Sequence, residues 1–398
     1  MKEITLSVMR NNPQTEPVMR QLLDIFERQN HIRVNLQILE WNTARQEVTQ
    51  YALHQQGPDV SAMATTWVAD LISMNALRPF MKNDLARIGQ FEEFIKPSWG
   101  STRLQGDENV WAVPWLVDTY VIHYRRDLLE QAGIDAKVAF SSLEKLDETV
   151  GRLSHVAGSI PIQLPYSYDR FCMMHTLAAW VWGAGGEFCT PDGRKVLFDQ
   201  PEALAGIRQY FRLARHLPQS ARERLSMPDC EDLFRRGEAA TAFGTLTFRH
   251  VEESLSTQVQ ENWYAAPLPG PHFVGGVDLV VWKYSRFEEL ALELIQFLNR
   301  SEIVSQCARA MTTSPARLSA LESANNNQDP LLLAVAESTR TGRTYFPVRL
   351  WGLMEERFVA ALLNISHTLL QSPDLDLDAT IRQAILPVAR RLNITLSS

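Results

Sequence analysis

The first eighty residues alternate between two hydrophobic periods, and that alternation restricts the fold more than any other feature. Ile4, Leu6 and Val8 alternate with Thr5 and Ser7, a strand pattern. Thr15-Glu16-Pro17 then starts a helix, with Pro suited to its first turn, and Val18, Leu22, Ile25 and Phe26 fall on one helical face. Ile32, Val34, Leu36 and Ile38 alternate with Arg33, Asn35 and Gln37, giving a second strand. A second helix is expected over roughly 43–54, ended by Gly57-Pro58. Val60 to Ala64 reads as a short buried strand, and a third helix starts near Thr66 with Leu71, Ile72 and Leu77 turned inward. The order β-α-β-α-β-α implies an α/β fold, with a mostly parallel sheet and right-handed crossovers.

Beyond residue 80 the rhythm changes. Val110 to Pro114 is followed by an alternating run, Tyr120 to Tyr124. Several helices are expected between about 142 and 236, strands at 239–243 and 277–282, and mainly helices from 288 onward. There is no internal repeat. A length of 398 residues predicts roughly two or three domains. With 45% hydrophobic and 21% charged residues, the chain can build packed cores and is not a disordered one. The formal charge is −7, and no Lys/Arg-rich run occurs, which argues against nucleic acid as a partner. A membrane span needs about 20 apolar residues. The longest apolar stretches, such as LAAWVWGAGG from Leu177 to Gly186, are about half that. The start, Met1-Lys2-Glu3-Ile4-Thr5-Leu6, carries no signal-peptide core. The expectation is a soluble protein, either cytoplasmic or exported with its leader already removed.

In an open α/β sheet, ligands sit beyond the carboxyl ends of the strands. Those ends deliver Asn11 after the first strand, Trp41 after the second, and Thr65, Thr66 and Trp67 after the third, while the segment after Pro114 delivers Trp115 and Asp118. Indole faces beside hydroxyls, an amide and a carboxylate suit a sugar, whose C–H face stacks on a ring while its hydroxyls donate to oxygens. Each of these residues also has a plain structural reading. A Trp is commonly core, Thr66 could be a helix cap, and Asp59 after Gly57-Pro58 reads first as a turn or capping residue.

Sequence signatures of catalysis are missing. There is no G-x-S-x-G, no Walker G-x-x-x-x-G-K, no H-E-x-x-H and no C-x-x-C. Gly183-Ala184-Gly185-Gly186 lacks the spacing and preceding strand of a dinucleotide site. Asp374, Asp376 and Asp378 lack the glycine and distal glutamate of a calcium loop and read as a solvated turn. His123 and His175 read as structural, and Cys172 and Cys189 could pair in an oxidising compartment. Cofactor and metal are both expected to be none. Asp118 with a second carboxylate could still imitate a glycosidase pair, leaving a glycan-acting hydrolase or transferase as an alternative.

Five segments carry a resemblance: GPDVSAMATTWVADLISMNALRPF (Gly57 to Phe80), NVWAVPWLVDTYVIHYRRDLLEQAGI (Asn109 to Ile134), AAWVWGAGGEF with LFDQPEALAGIRQYFRLA, RRGEAATAFG (Arg235 to Gly244), and HFVGGVDLVVW (His272 to Trp282). In this order they resemble the family 1 extracellular solute-binding proteins, the maltose-binding-like receptors of ABC sugar importers. The resemblance implies a two-lobed periplasmic-binding-protein type II fold, each lobe a mixed sheet flanked by helices, with a ligand cleft between the lobes. It implies lobe 1 at 1–113 and 266–314, and a helix-rich lobe 2 at 114–265 and 315–398. It also implies ligand contacts at Thr65, Thr66, Trp67, Asp118, Tyr166, Trp182, Gly244, Asp278 and Trp351, with Gly276 letting backbone approach the ligand. The loop after Gly244 reads Thr245-Leu246-Thr247 where the family often has a tryptophan. The implied function is a non-enzymatic, monomeric receptor, periplasmic or cell-surface. It would close by a hinge on a mono- to oligosaccharide and deliver it to membrane permease subunits. The same fold serving as a sensor for a signalling receptor is a further alternative.

Overall fold

A computed structural model describes residues 2–165, 170–225, 232–248, 255–324, 329–372 and 374–397. Among them the strands are β1 (Glu3–Met9), β2 (Arg33–Leu39), β3 (Val60–Ala64), β4 (Val113–Thr119), β5 (Val121–Arg125), β6 (Thr241–Gly244), β7 (Trp263–Pro267), β8 (Val274–Val281) and β9 (Ser314–Pro315). The chain divides into two compact units. The first comprises Met1–Asp118, Val274–Gln328 and Thr344–Gly352, and the second Thr119–Phe273, Asp329–Arg343 and Leu353–Ser398.

The first unit holds a six-stranded sheet in the order β2-β1-β3-β8-β4-β9. The alternation of the N-terminal segment becomes parallel pairing: Ile4, Leu6 and Val8 of β1 lie beside Val34, Leu36 and Ile38 of β2, and β3 pairs parallel on the other side of β1. The sheet is mixed because β8 enters antiparallel to β3, with Asp278 opposite Met63. Alternation along β8 sends Val277, Leu279 and Val281 into one core, with Leu22 and Phe26 of the helix Thr15–Asn30 and Leu294 and Ile295 of the helix Glu288–Leu298. Val280 and Trp282 enter the core on the opposite face, against Val48 of the helix Trp41–His54 and Leu71 of the helix Val68–Ser73. Each such side chain contributes about 1.5–3 kcal/mol by leaving water. Asp59 proves to be a structural tie, accepting from the Thr5 backbone N–H (2.8 Å) and the Ser285 hydroxyl (2.6 Å).

The second unit has an antiparallel sheet, β6-β5-β7, with Ile122 flanked by Phe243 and Ala266. Its helices include Arg170–Gly183 and Pro201–Arg212, which approach so closely that a Cβ on Gly206 would sit 2.4 Å from the Trp180 carbonyl oxygen. His123 accepts from the Trp263 indole N–H (3.1 Å), and His175 stacks on Phe273 with ring centroids 4.0 Å apart. Burial holds the His175 ring down to about 3, so it is neutral. Asp376 caps the helix Leu377–Leu396 through the N–H groups of Asp378 and Ala379, and the Asp378 carboxylate pairs with Arg208 (3.2 Å). Cys189 is a buried thiol that makes no bridge to Cys172, and burial pushes it up to about 12.

The division of the chain differs from the sequence-based boundaries. β4 (Val113–Thr119) remains in the six-stranded sheet, and Leu116 and Val117 pair with Pro315 and Ser314 of β9. The first unit therefore runs to Asp118 rather than Val113 and retains the chain past residue 314. It also takes back Thr344–Gly352, a return that the sequence reading lacked.

Candidate functional site

The strand ends of the first unit are followed by polar and aromatic side chains that hold one another. Asn11, after β1, donates through Nδ2 to the Met311 carbonyl (3.0 Å) and accepts through Oδ1 from the Trp41 indole N–H (2.9 Å). Trp41 is 42% exposed and meets buried Trp67 edge to face at 5.9 Å. Asn11, Trp41 and Trp67 thus form one cluster, with Trp41 as its open indole.

Thr65, Thr66 and Trp67 form a 3-10 turn directly after β3, ahead of the helix Val68–Ser73. Thr65 and Thr66 line a small pocket together with Ala69, Ser101 and the returning segment Thr344, Tyr345, Phe346 and Pro347, closed by Trp351. Tyr345 and Trp351 stack, with ring centroids 4.5 Å apart and planes 27° from parallel. No lining residue carries a formal charge. The returning segment is anchored by Asp70, which accepts from the Gly352 N–H (3.1 Å) at the start of the helix Trp351–Gln371 and pairs with Arg45 (3.3 Å). Burial raises the Asp70 carboxyl from its usual range, outweighing Arg45. A larger open groove, in the second unit between the helices Trp351–Gln371 and Leu377–Leu396, is lined by Leu353, Arg357, Val388, Arg391, Leu392 and Thr395. It gathers no set of buried hydrogen-bonding groups, and the smaller pocket is the better candidate.

Asp278 stands one hydrogen bond behind that pocket. It is 1% exposed, and its Oδ2 lies 2.8 Å from the Ser101 hydroxyl. Burial pushes its carboxyl up to about 7, opposed by the hydrogen bond to Ser101.

Other expected residues are placed differently. Trp115 is a correction: it is 1% exposed within the core of the first unit, and its indole N–H donates to the Leu298 carbonyl (3.3 Å), so it packs instead of facing a ligand. Gly276 is a correction of reason. Its φ is +131°, and a Cβ there would lie 2.2 Å from the Leu116 carbonyl oxygen. The glycine serves the close approach of β8 to β4, not that of a ligand. Gly276→Ala is expected to destabilise by about 2–3 kcal/mol in urea unfolding. Trp182 is a packing residue of the second unit: its indole N–H donates to Glu187 (3.1 Å), and Arg343, itself paired with Glu187 (2.8 Å), covers its ring at 4.6 Å. Gly244 ends β6, where a Cβ would meet the Phe248 ring at 2.4 Å. Asp118 lies partly exposed in β4, as the last residue of the first unit. Tyr166 lies outside the described residues.

The structure therefore gathers Thr65, Thr66 and Trp351 around one pocket and sets Asp278 behind it. Ser101, Tyr345 and Asp70 join them without having been singled out. Tyr345-Phe346-Pro347 beside Trp351 was an aromatic signal. Ser101, in Lys96-Pro97-Ser98-Trp99-Gly100-Ser101, gave none.

The family model for bacterial extracellular solute-binding proteins matches residues 12–304. The chain belongs to that family. Among solved structures, it is similar to the sugar-binding protein MalE of Xanthomonas citri (TM-score 0.81, 20% identity, covering 100% of this chain and 98% of that one). It is also similar to an ABC transporter solute-binding protein of Thermotoga lettingae bound with α-D-tagatose (0.79, 18%, 98% and 100%). Maltose-bound MalE3 of T. maritima is a third (0.77, 22%, 99% and 100%). No curated protein sequence matches the chain. The two-lobed solute-binding fold expected from the sequence is thus the fold of this protein. Among the described residues, no group of three or more His, Cys, Asp or Glu side chains could hold a metal, and no helix is long and apolar enough to cross a membrane.

Proposed function

We propose that this family member is the receptor of an ABC importer for a neutral saccharide, bound at the pocket of Thr65, Thr66, Tyr345 and Trp351. The observation that carries the reading is the pocket's make-up: an uncharged lining, hydroxyls from Thr65, Thr66, Ser101 and Thr344, and a stacked aromatic pair. A sugar offers the complement, apolar C–H faces for the rings and hydroxyls for the oxygens. The tagatose and maltose held by the Thermotoga relatives point to the same ligand class.

The proposal includes the two units as lobes that close on the ligand by a hinge, an extracytoplasmic monomer, permease subunits as partners, and release of the sugar chemically unchanged. Calorimetric titration with maltose, D-tagatose and a panel of mono- and oligosaccharides tests it. Binding without product, with a smaller radius of gyration in X-ray scattering at saturation, is expected. Silence across the panel, or turnover, refutes it. Trp351→Ala is expected to raise Kd about fivefold, equivalent to about 1 kcal/mol of lost stacking, and an unchanged Kd would remove Trp351 from the site.

A further inference from the structure

Ser101 has one hydroxyl hydrogen and two oxygens within reach of it. Its Oγ lies 2.8 Å from the Ser98 carbonyl and 2.8 Å from Asp278 Oδ2. An ionised Asp278 accepts only, as does the carbonyl, so one of the two contacts would bring two electron-rich oxygens together with no proton between them. A proton on Oδ2 satisfies both: Asp278 donates to Ser101, and Ser101 donates to Ser98. The other carboxyl oxygen, Oδ1, is buried with no partner. A carboxylate would leave charge on that bare atom, whereas a neutral acid leaves a carbonyl there at far lower cost.

We propose that Asp278 is a protonated acid that fixes Ser101 as a hydrogen-bond acceptor at the pocket, so that the ligand is read there through a hydroxyl it donates, and that ligand affinity is linked to Asp278 ionisation. This rests on the saccharide reading above. Ser101 oxygen has two lone pairs. One takes the Asp278 proton, and the second is left for a ligand O–H. A bound ligand seals the pocket and removes the water nearest the carboxyl. Ionisation of Asp278 then costs more in the complex than in the free protein, and by linkage affinity falls as pH rises past the free-protein value.

The electrostatics of the surroundings agree. Burial pushes Asp278 up to about 7, with Ser101 as the only opposing influence. The titratable side chains on elements packed against β8 are Lys96, at the start of the short helix Lys96–Gly100, Arg45, Glu47, Tyr51 and His54 on the helix Trp41–His54, Asp70 on the helix Val68–Ser73, Asp118 on β4, and Glu288, Glu289 and Glu293 on the helix Glu288–Leu298. None of these contributes to the shift. β3 and the Thr65–Trp67 turn contribute no titratable group. Asp278 is a positioning residue, acting on ligand through Ser101.

The test has a ligand-free arm and a binding arm. Carbon-13 NMR of the aspartate carboxyls, assigned with Asp278→Asn, is expected to show Asp278 in the free protein titrating near 7. Titration near 4 overturns the proposal. Calorimetry with maltose and D-tagatose follows at pH 6 and pH 8.5, in buffers of different ionisation heat. The wild type should bind at least fivefold more weakly at pH 8.5 and take up protons on binding near pH 7.5. Asp278→Asn, whose amide N–H can replace the acid proton, should lose the pH dependence. Ser101→Ala should weaken binding at both values. Sugar binding that is equally tight at both pH values overturns this proposal and leaves the saccharide reading standing. Failure of both sugars to bind at either pH, with the carboxyl still titrating near 7, overturns the saccharide reading and the ligand half of this one.

Discussion

Asp278→Asn is expected to make the protein more stable than the wild type at pH 8 and equally stable at pH 3. The sign follows from where each state holds its proton. In the unfolded chain this carboxyl has its ordinary value of 3.8, and in the fold burial pushes it up to about 7. Below the lower value both states are protonated, and the residue favours neither. Between the two, the folded protein keeps a proton that the unfolded chain has lost, so stability falls as pH rises, by about 1.4 kcal/mol per unit. Above the upper value the penalty is complete, about 4 kcal/mol over some three units. Asparagine carries no charge at any pH and removes the slope. Paired urea titrations of the two proteins at unit intervals from pH 3 to pH 8 check this. The difference should grow between about pH 4 and pH 7 and then level off. Parallel profiles would show that Asp278 is ionised at no unusual cost. This stability profile needs no ligand, so it reports on the buried acid whatever the pocket binds.

How far the sequence alone reaches is clear from particular residues. Periodicity identified β1 and β2 because Ile4, Leu6 and Val8, like Val34 and Leu36, all enter one core from one face of the sheet, and side-chain alternation records that directly. It put Thr65 and Thr66 directly after β3, where they lie, since residues following a strand of a parallel sheet are set by the chain direction. It failed at Trp115. On β4, buried on both faces, an indole in the core and one at a ligand wall leave the same trace in the sequence. Gly276 was named as a constrained position, but the partner that constrains it, the Leu116 carbonyl, lies on a strand about 160 residues earlier. Ser101 was invisible for a similar reason. Its importance comes from Asp278, which the fold brings to it from 177 residues away. Non-local contacts of this kind are decided by sheet order, β3-β8-β4, and no local pattern encodes that order.

The packing assignment of Trp115 leads to the second large effect. Trp115→Ala removes one of the largest fully buried side chains of the protein, in a core that also holds Val113, Val117, Val277 and Leu298. Truncations of buried Trp cost about 3–5 kcal/mol, because the transfer energy of the ring is lost and the cavity only partly collapses. The Leu298 carbonyl also loses its indole donor. Since the ring faces core rather than pocket, the folded variant should bind sugar with the wild-type Kd. Trp351→Ala should show the converse, weakened binding with a smaller loss of stability. Urea unfolding and calorimetry on both variants separate the roles. Should Trp115→Ala instead leave stability within about 1 kcal/mol of wild type and abolish binding, the ring must face the ligand and the packing assignment is wrong.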